Sequence, residues 1–332
     1  MSVESKAALD VAIASTSKES VPISTLPEKP AVGATTVHRW AADGILFVTA
    51  LMWGINILVF KGAIRDLDPW VFNSIRLIFA TLALGVLAAA EARWWPTPPR
   101  VRPIPWKRVL AFSFLSGFLY LIIFVRGIAM TTAGNTALIL ASMPMWTAIL
   151  SYFALHERLP RVTWIGLGVT LVGTAVVTTQ GSGGVSFSSE YFVGNLFILA
   201  SALSWACSTV LSRSILETIS PLRLAFISAL LTTPIHLTMT ASTLPSALPK
   251  LSEFPTLAAI VYSGVFSTGV AYATWHAGVR AVGGSHAAVY QNVVTLVAVI
   301  GGWLVLGEQP FVAQVIGGLL MIVGLLLMRR GR

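Results

Sequence analysis

About ten apolar runs follow one another along this chain, each near the ~20 residues that carry a helix across the ~30 Å hydrocarbon core of a bilayer. At that depth no water satisfies the backbone, and runs of this length satisfy their own amides only as helices. The runs are read as Asp43–Lys61, Trp70–Ala90, Lys107–Val125, Asn135–Leu155, Val162–Thr179, Tyr191–Leu211, Pro221–Met239, Pro255–Trp275, Ser285–Leu306 and Phe311–Met328. The expected fold is therefore an all-α integral membrane bundle of ten transmembrane helices. Charged residues make up 11% of the chain, against roughly 25% in a soluble domain, too few to cover a water-facing surface.

The cations sort into alternate gaps between the runs. With the N-terminus in the cytoplasm, the inner segments hold Lys6, Lys18, Lys29 and Arg39, then Arg93, Arg100, Arg102, Lys107 and Arg108. Arg158, Arg161, Arg213, Arg223 and Arg280 follow, and Arg329, Arg330 and Arg332 close the chain. The outer segments keep Lys61, Arg65, Arg126 and Lys250, and Arg76 is left inside a run. This bias places both termini inside. It also accounts for the net charge of +9 without nucleic acid as a partner. Trp40, Trp70, Trp94, Trp95, Trp106, Trp164, Trp275 and Trp303 fall near run ends, where indoles favour the interface. Trp53, Trp146 and Trp205 lie deeper. Residues 1–42 are polar, without a signal-peptide core, and read as a disordered cytoplasmic tail; residues 329–332 are a basic inner tail. Cys207 is the lone cysteine, so neither an internal disulfide nor a cysteine metal site is expected.

The second half echoes the first. At an offset of 151 residues Gly127 meets Gly278, Leu155 meets Leu306, Glu157 meets Glu308, Gly166 meets Gly317 and Gly173 meets Gly324. At an offset of 152, Ala50-Leu51-Met52-Trp53 meets Ala202-Leu203-Ser204-Trp205, and Pro69 meets Pro221. The units are residues 43–180 and 191–328. Five runs is an odd number, so two such units in one chain enter the membrane from opposite sides. Inverted repeats of this kind are a device of transporters.

Asn135 to Pro144 (Asn-Thr-Ala-Leu-Ile-Leu-Ala-Ser-Met-Pro), Leu155-His156-Glu157-Arg158-Leu159, Gly166 and Gly173 resemble the signature of EamA-type drug/metabolite transporters. The second copy keeps the Gly-Glu-Gln and Gly-Gly parts but has Thr295 where the first has Pro144. The resemblance implies two inverted five-helix repeats in a basket-like bundle around a central pathway, in a bacterial inner membrane. Within the superfamily the chain is similar to exporters of aromatic amino acids.

Candidate substrate-lining residues follow from polarity at depth, since polar groups inside a membrane face a cavity or another helix. Trp53, Asn56 and Phe60 share one face of the first helix, and Trp205 and Ser208 repeat the first two positions on the sixth. Such a face either stacks on a flat substrate or packs helix on helix. Ala288, Gln291, Asn292 and Thr295 form a small and polar stripe on the ninth helix, beside Tyr290. Tyr120, with Phe124 one turn on, and its counterpart Tyr272 are further aromatic candidates. Arg76 either snorkels outward or meets a substrate carboxylate. His236 reads as a hydrogen-bonded bundle residue, and His286 lies near the inner surface. Pro144 and Pro234 are expected to kink their helices as hinges. Glu157 and Glu308 are expected to accept from free amides at the next helix start. The glycines Gly166, Gly173, Gly317 and Gly324 permit close packing of the fifth and tenth helices, within the chain or across a homodimer.

No carboxylate falls near a run centre, where proton-coupled carriers keep their relays. Gradient-driven export is expected rather than obligatory proton antiport. No G-x-x-x-x-G-K-[ST] loop and no metal-ligand spacing occurs, so no cofactor is expected. An enzyme would need acids, bases or a metal at the interface, and a channel would need a charged ring or filter. His156-Glu157 is the one interfacial group of the first kind, and neither feature of the second kind is visible.

Overall fold

The computed structural model describes residues 36–94, 103–155, 159–181, 184–185, 191–282 and 290–330. The first 35 residues, Trp95, Arg100, Arg102, His156, Glu157, Arg158, Ser285, His286 and Ala288, and the last two residues lie outside the described residues. Residues 39–332 pack as one unit, and residues 1–38 are a separate one.

Among the described residues, eight helices are long and apolar enough to cross a membrane. They are α1 (Trp40–Ala63), α2 (Pro69–Trp94), α3 (Trp106–Met130), α4 (Ala133–Ala154), α5 (Arg161–Thr178), α6 (Phe192–Leu216), α7 (Pro221–Thr240) and α8 (Phe254–Gly278). Two shorter apolar helices, α9 (Gln291–Leu306) and α10 (Val312–Met328), complete the set. A short helix, Leu244–Leu251, joins α7 to α8. The one strand pairing among the described residues is a two-residue antiparallel pair, Gln180–Gly181 with Gly184–Val185.

Equivalent sequence builds equivalent helix starts. Asp68 Oδ1 accepts from the amides of Trp70 (2.9 Å) and Val71 (3.0 Å), and Pro69 opens α2. Ser220 Oγ accepts from the Arg223 amide at 3.3 Å, and Pro221 opens α7. Each cap satisfies an otherwise orphaned amide, and each proline sits where its missing N–H costs nothing. Leu82, Val86, Phe153, Leu304 and Val312 face outward and are exposed. In lipid such a surface carries no hydrophobic penalty.

The helix contacts repeat between halves as the sequence does. Gly127 of α3 lies against Ile198 of α6, and Gly278 of α8 lies against Leu46 of α1. These pairs exchange under the 151–152 offset. The Thr81–Thr233 hydrogen bond (2.9 Å) joins α2 to α7 through residues 152 apart, the point through which a two-fold relating the halves would pass. The fifth and tenth helices cross by their glycines. A Cβ on Gly166 would lie 2.6 Å from the Gly324 carbonyl oxygen, and one on Gly173 would lie 2.6 Å from that of Gly317. The small-residue stripe is thus used inside the chain.

Polar side chains tie helices together, within the first half and across to the second, at the end formed by the C-terminus of α1 and the N-terminus of α2. Lys61 Nζ donates to the Ile128 carbonyl (2.8 Å) and Arg65 Nη2 to the Leu306 carbonyl (2.6 Å). Glu308 accepts from the amides of Ala133 (2.9 Å) and Gly134 (3.3 Å). The carboxylate therefore serves the start of α4 in the other half, not the start of the helix that follows it. Gly307, at φ +72°, ends α9 in the left-handed region and turns Glu308 back toward α4. Glu308→Ala is expected to remove roughly 1–2 kcal/mol, the usual worth of such a cap, read as a lower melting temperature of the purified protein in detergent.

Candidate functional site

Two helices carry a wide turn. Phe114–Leu119 in α3 and Tyr262–Val270 in α8 are π-helical, a geometry that loosens the regular hydrogen-bond ladder and recurs at functional positions. Carbonyls in these segments accept from other helices. Trp53 Nε1 of α1 donates to the Ser267 carbonyl at 3.0 Å, and Ser204 Oγ of α6 to the Leu115 carbonyl at 2.8 Å. Positions 115 and 267 are equivalent in the repeat. His236 Nε2 of α7 pairs with the Gly117 carbonyl at 2.9 Å.

Around these turns a run of side chains follows one face of α1 and passes to α2, α3 and α6, with no ring contact joining Trp53 to Phe60 among the described residues. The Trp53 ring lies 5.0 Å from Trp275 of α8. Asn56 and Phe60 follow Trp53 on the same face of α1. Phe60 is buried and meets Phe72 of α2 edge-on at 4.8 Å and Phe124 of α3 at 5.7 Å. Tyr120 stacks on Phe124 at 5.7 Å and lies 5.1 Å from Trp205 of α6. Trp53, Asn56, Tyr120 and Trp205 are half-buried.

Arg76 stands in the middle of this run, 5% exposed, with its guanidinium carbon 5.3 Å from the Phe60 ring centre. Nη2 donates to Asn73 Oδ1 at 2.8 Å and Nη1 to Thr268 Oγ1 at 3.4 Å. It is the one buried Lys, Arg, Asp or Glu among the described residues. No carboxylate pairs with it there. Arg76 Nε, Asn73 Nδ2 and Asn56 Oδ1 are buried without a hydrogen-bond partner.

Three sequence candidates, Arg76, Tyr120 and Trp205, come together in this way, and Asn56 and Trp53 stand one and two turns from Phe60 on the same face of α1. The others stand apart. Ser208 is buried, and its hydroxyl donates to the Trp205 carbonyl of its own helix at 2.7 Å. Tyr272 packs on His276 at 4.5 Å. Thr295 Oγ1 donates to the Gln291 carbonyl at 3.4 Å. No hydrogen bond or ring contact joins Gln291, Asn292 or Thr295 to the run among the described residues. Pro144 follows a break in α4: helix runs to Leu140, turns at Ala141 and Ser142, and resumes at Met143. Trp146 Nε1 donates to Ser142 Oγ at this break (3.0 Å). Across Pro234, an exposed residue, α7 stays helical throughout. Asn73, Thr268 and Trp275 are members of the run that sequence reasoning missed. Asn73 alone had a signal, since it lies three residues before Arg76 on the same helix face.

The EamA-like transporter family matches this chain twice, over residues 40–179 and 192–330. An uncharacterized transporter of Bacillus subtilis, YoaV, is 25% identical over 85% of this chain and 94% of its own length. A protein of Salmonella typhimurium named "Probable amino-acid metabolite efflux pump" is 24% identical over 85% of this chain and 93% of its own. A solved crystal structure superposes with a TM-score of 0.59 at 19% identity, covering 87% of this chain and 96% of that one. It bears on the fold alone.

Proposed function

The chain belongs to the EamA-like transporter family, and from that premise we propose that it exports small amphiphilic metabolites, foremost aromatic amino acids, across a bacterial inner membrane. In this reading all ten apolar helices span the membrane as two inverted five-helix repeats in a basket, with both termini cytoplasmic. The two halves alternate access to a central site. The observation that carries the reading is the series of ring contacts from Phe60 through Phe124 and Tyr120 to Trp205 around a buried Arg76 that has no acidic partner among the described residues, with Trp53 two turns from Phe60 on the same face of α1. Aromatic faces stack on flat apolar groups, and the polar atoms between them hold the other end of an amphiphile. The name of the Salmonella typhimurium relative, an amino-acid metabolite efflux pump, points the same way. A planar drug, a nonaromatic metabolite or a quaternary cation is the competing cargo.

Counterflow in proteoliposomes against a panel of labelled amino acids, purines and quaternary cations tests this. Preferential exchange of phenylalanine, tyrosine or tryptophan is expected. Exchange of quaternary cations alone would overturn it. Trp53→Ala and Trp205→Ala are each expected to weaken transport about tenfold, the worth of one well-placed aromatic contact, without loss of expression. Normal kinetics in both would remove them from the site.

The drive is proposed to be the substrate gradient. No Asp or Glu is buried among the described residues, so the spans offer no acidic relay there. Substrate-dependent proton flux through reconstituted protein, abolished by a single substitution, would refute gradient-driven export.

A further inference from the structure

We infer that Arg76 and Asn73 of α2, with Asn56 of α1, form the subsite for an α-amino-acid head group, the substrate carboxylate lying on Arg76 and Asn73 and its ammonium on Asn56 Oδ1. The inference rests on the transport reading and deepens it by naming which end of the substrate is recognised by which atoms. A guanidinium taken out of water costs several kcal/mol unless an anion and a full set of acceptors replace the solvent. Arg76 has one amide oxygen, one long hydroxyl contact and one ring face. Nothing among the described residues neutralises it.

The unfilled positions have a definite chemistry. Arg76 Nε and Asn73 Nδ2 are donors on adjacent turns of one helix face, and both lack an acceptor. A carboxylate supplies two acceptor oxygens and the missing negative charge, in the forked geometry that guanidinium groups prefer. Asn56 Oδ1, one turn before Phe60 on α1, is an acceptor without a donor. An ammonium supplies donors. The aromatic run around Phe60, Tyr120 and Trp205 then takes the side chain. A substrate that is only cationic would bring a second positive charge beside Arg76 in a low-dielectric site, and is rejected. A structural role for Arg76 would leave these three orphan atoms without account.

The test uses the purified full chain, with binding read as the shift in melting temperature on titration. The probes are L-phenylalanine, 3-phenylpropionate, phenethylamine and L-leucine. The first two are expected to bind, and phenethylamine, which lacks the carboxylate, is not. Asn73→Asp places a resident carboxylate where Asn73 Oδ1 already touches Arg76 Nη2. It is expected to raise the melting temperature of the empty protein while weakening phenylalanine binding roughly 30-fold or more, as removal of a buried charge pair does. Arg76→Lys, which keeps the charge but loses the fork, should weaken it similarly. Equal binding of phenethylamine and phenylalanine, unchanged binding in Asn73→Asp, or no binding of any carboxylate would overturn the subsite. Arg76-dependent binding of leucine without phenylalanine would keep the subsite and discard the aromatic preference. Equal binding of phenethylamine and phenylalanine would do the reverse.

Discussion

Gly173→Val and Gly324→Val are expected to leave little folded protein, whereas Gly168→Val, on the same helix as Gly173, is expected to leave it intact. The α5–α10 crossing allows no Cβ. One on Gly173 would stand 2.6 Å from the Gly317 carbonyl oxygen and 2.9 Å from the Met321 amide nitrogen. One on Gly324 would meet Thr170 and stand 2.7 Å from the Gly166 carbonyl oxygen. These are mostly backbone atoms of a facing helix, which move only if the whole crossing opens. Ordinary overpacking costs about 1–3 kcal/mol, and a main-chain collision at the centre of a crossing costs more, against a total stability of roughly 5–15 kcal/mol. A Cβ at Gly168 meets nothing within 4 Å, so it separates helix propensity from packing. Monodispersity on size exclusion and melting temperature in detergent decide the matter. A well-behaved Gly324→Val protein would mean the two helices do not cross by these glycines.

Asn195→Leu has the second-largest expected effect. The Asn195 side chain is fully buried at the start of α6 and closes four contacts. Its Oδ1 accepts from Thr131 Oγ1 (2.5 Å) and Asn135 Nδ2 (3.2 Å), and its Nδ2 donates to the carbonyls of Val177 (3.3 Å) and Thr178 (3.0 Å). Gln314 Nε2 extends the group through Asn135 Oδ1 at 2.8 Å. A leucine of similar volume strands donors and acceptors on α4, α5 and the turn after α3, and each stranded group costs about 1–3 kcal/mol. A loss on the order of 3–5 kcal/mol follows, with transport falling in step with the folded fraction. Asn195→Asp keeps the acceptor but not the donors, and falls between the two. Wild-type thermal stability in Asn195→Leu would show that this network carries no structural weight.

Much of the framework was legible because the membrane restricts the choice to helices, and length with hydropathy then marks them. All ten runs correspond to apolar helices, though for α9 the described helix begins only at Gln291. The repeat offset was legible too, and it marked the glycines of α5 and α10 as packing positions while leaving open whether they meet within the chain or across a dimer. Chemistry that depends on tertiary neighbours was not. Nothing local tells that Glu308 turns to Ala133 rather than to its own next helix. Nor does a sequence show that Ser208 spends its hydroxyl on Trp205, because serine in a membrane helix serves a cavity or its own backbone with equal ease. Trp275 read as an interfacial indole by its place near a run end, yet it packs against Trp53. The wide turns had no proline to announce them.

Those wide turns carry a historical consequence. A π turn is in effect a helix with one residue inserted, and separate insertions in separate helices have no reason to fall at matching places. The segments 114–119 and 262–270 overlap when one half is laid on the other. A wide turn at overlapping places in both halves is the pattern that inheritance from one five-helix unit, doubled afterwards, would leave.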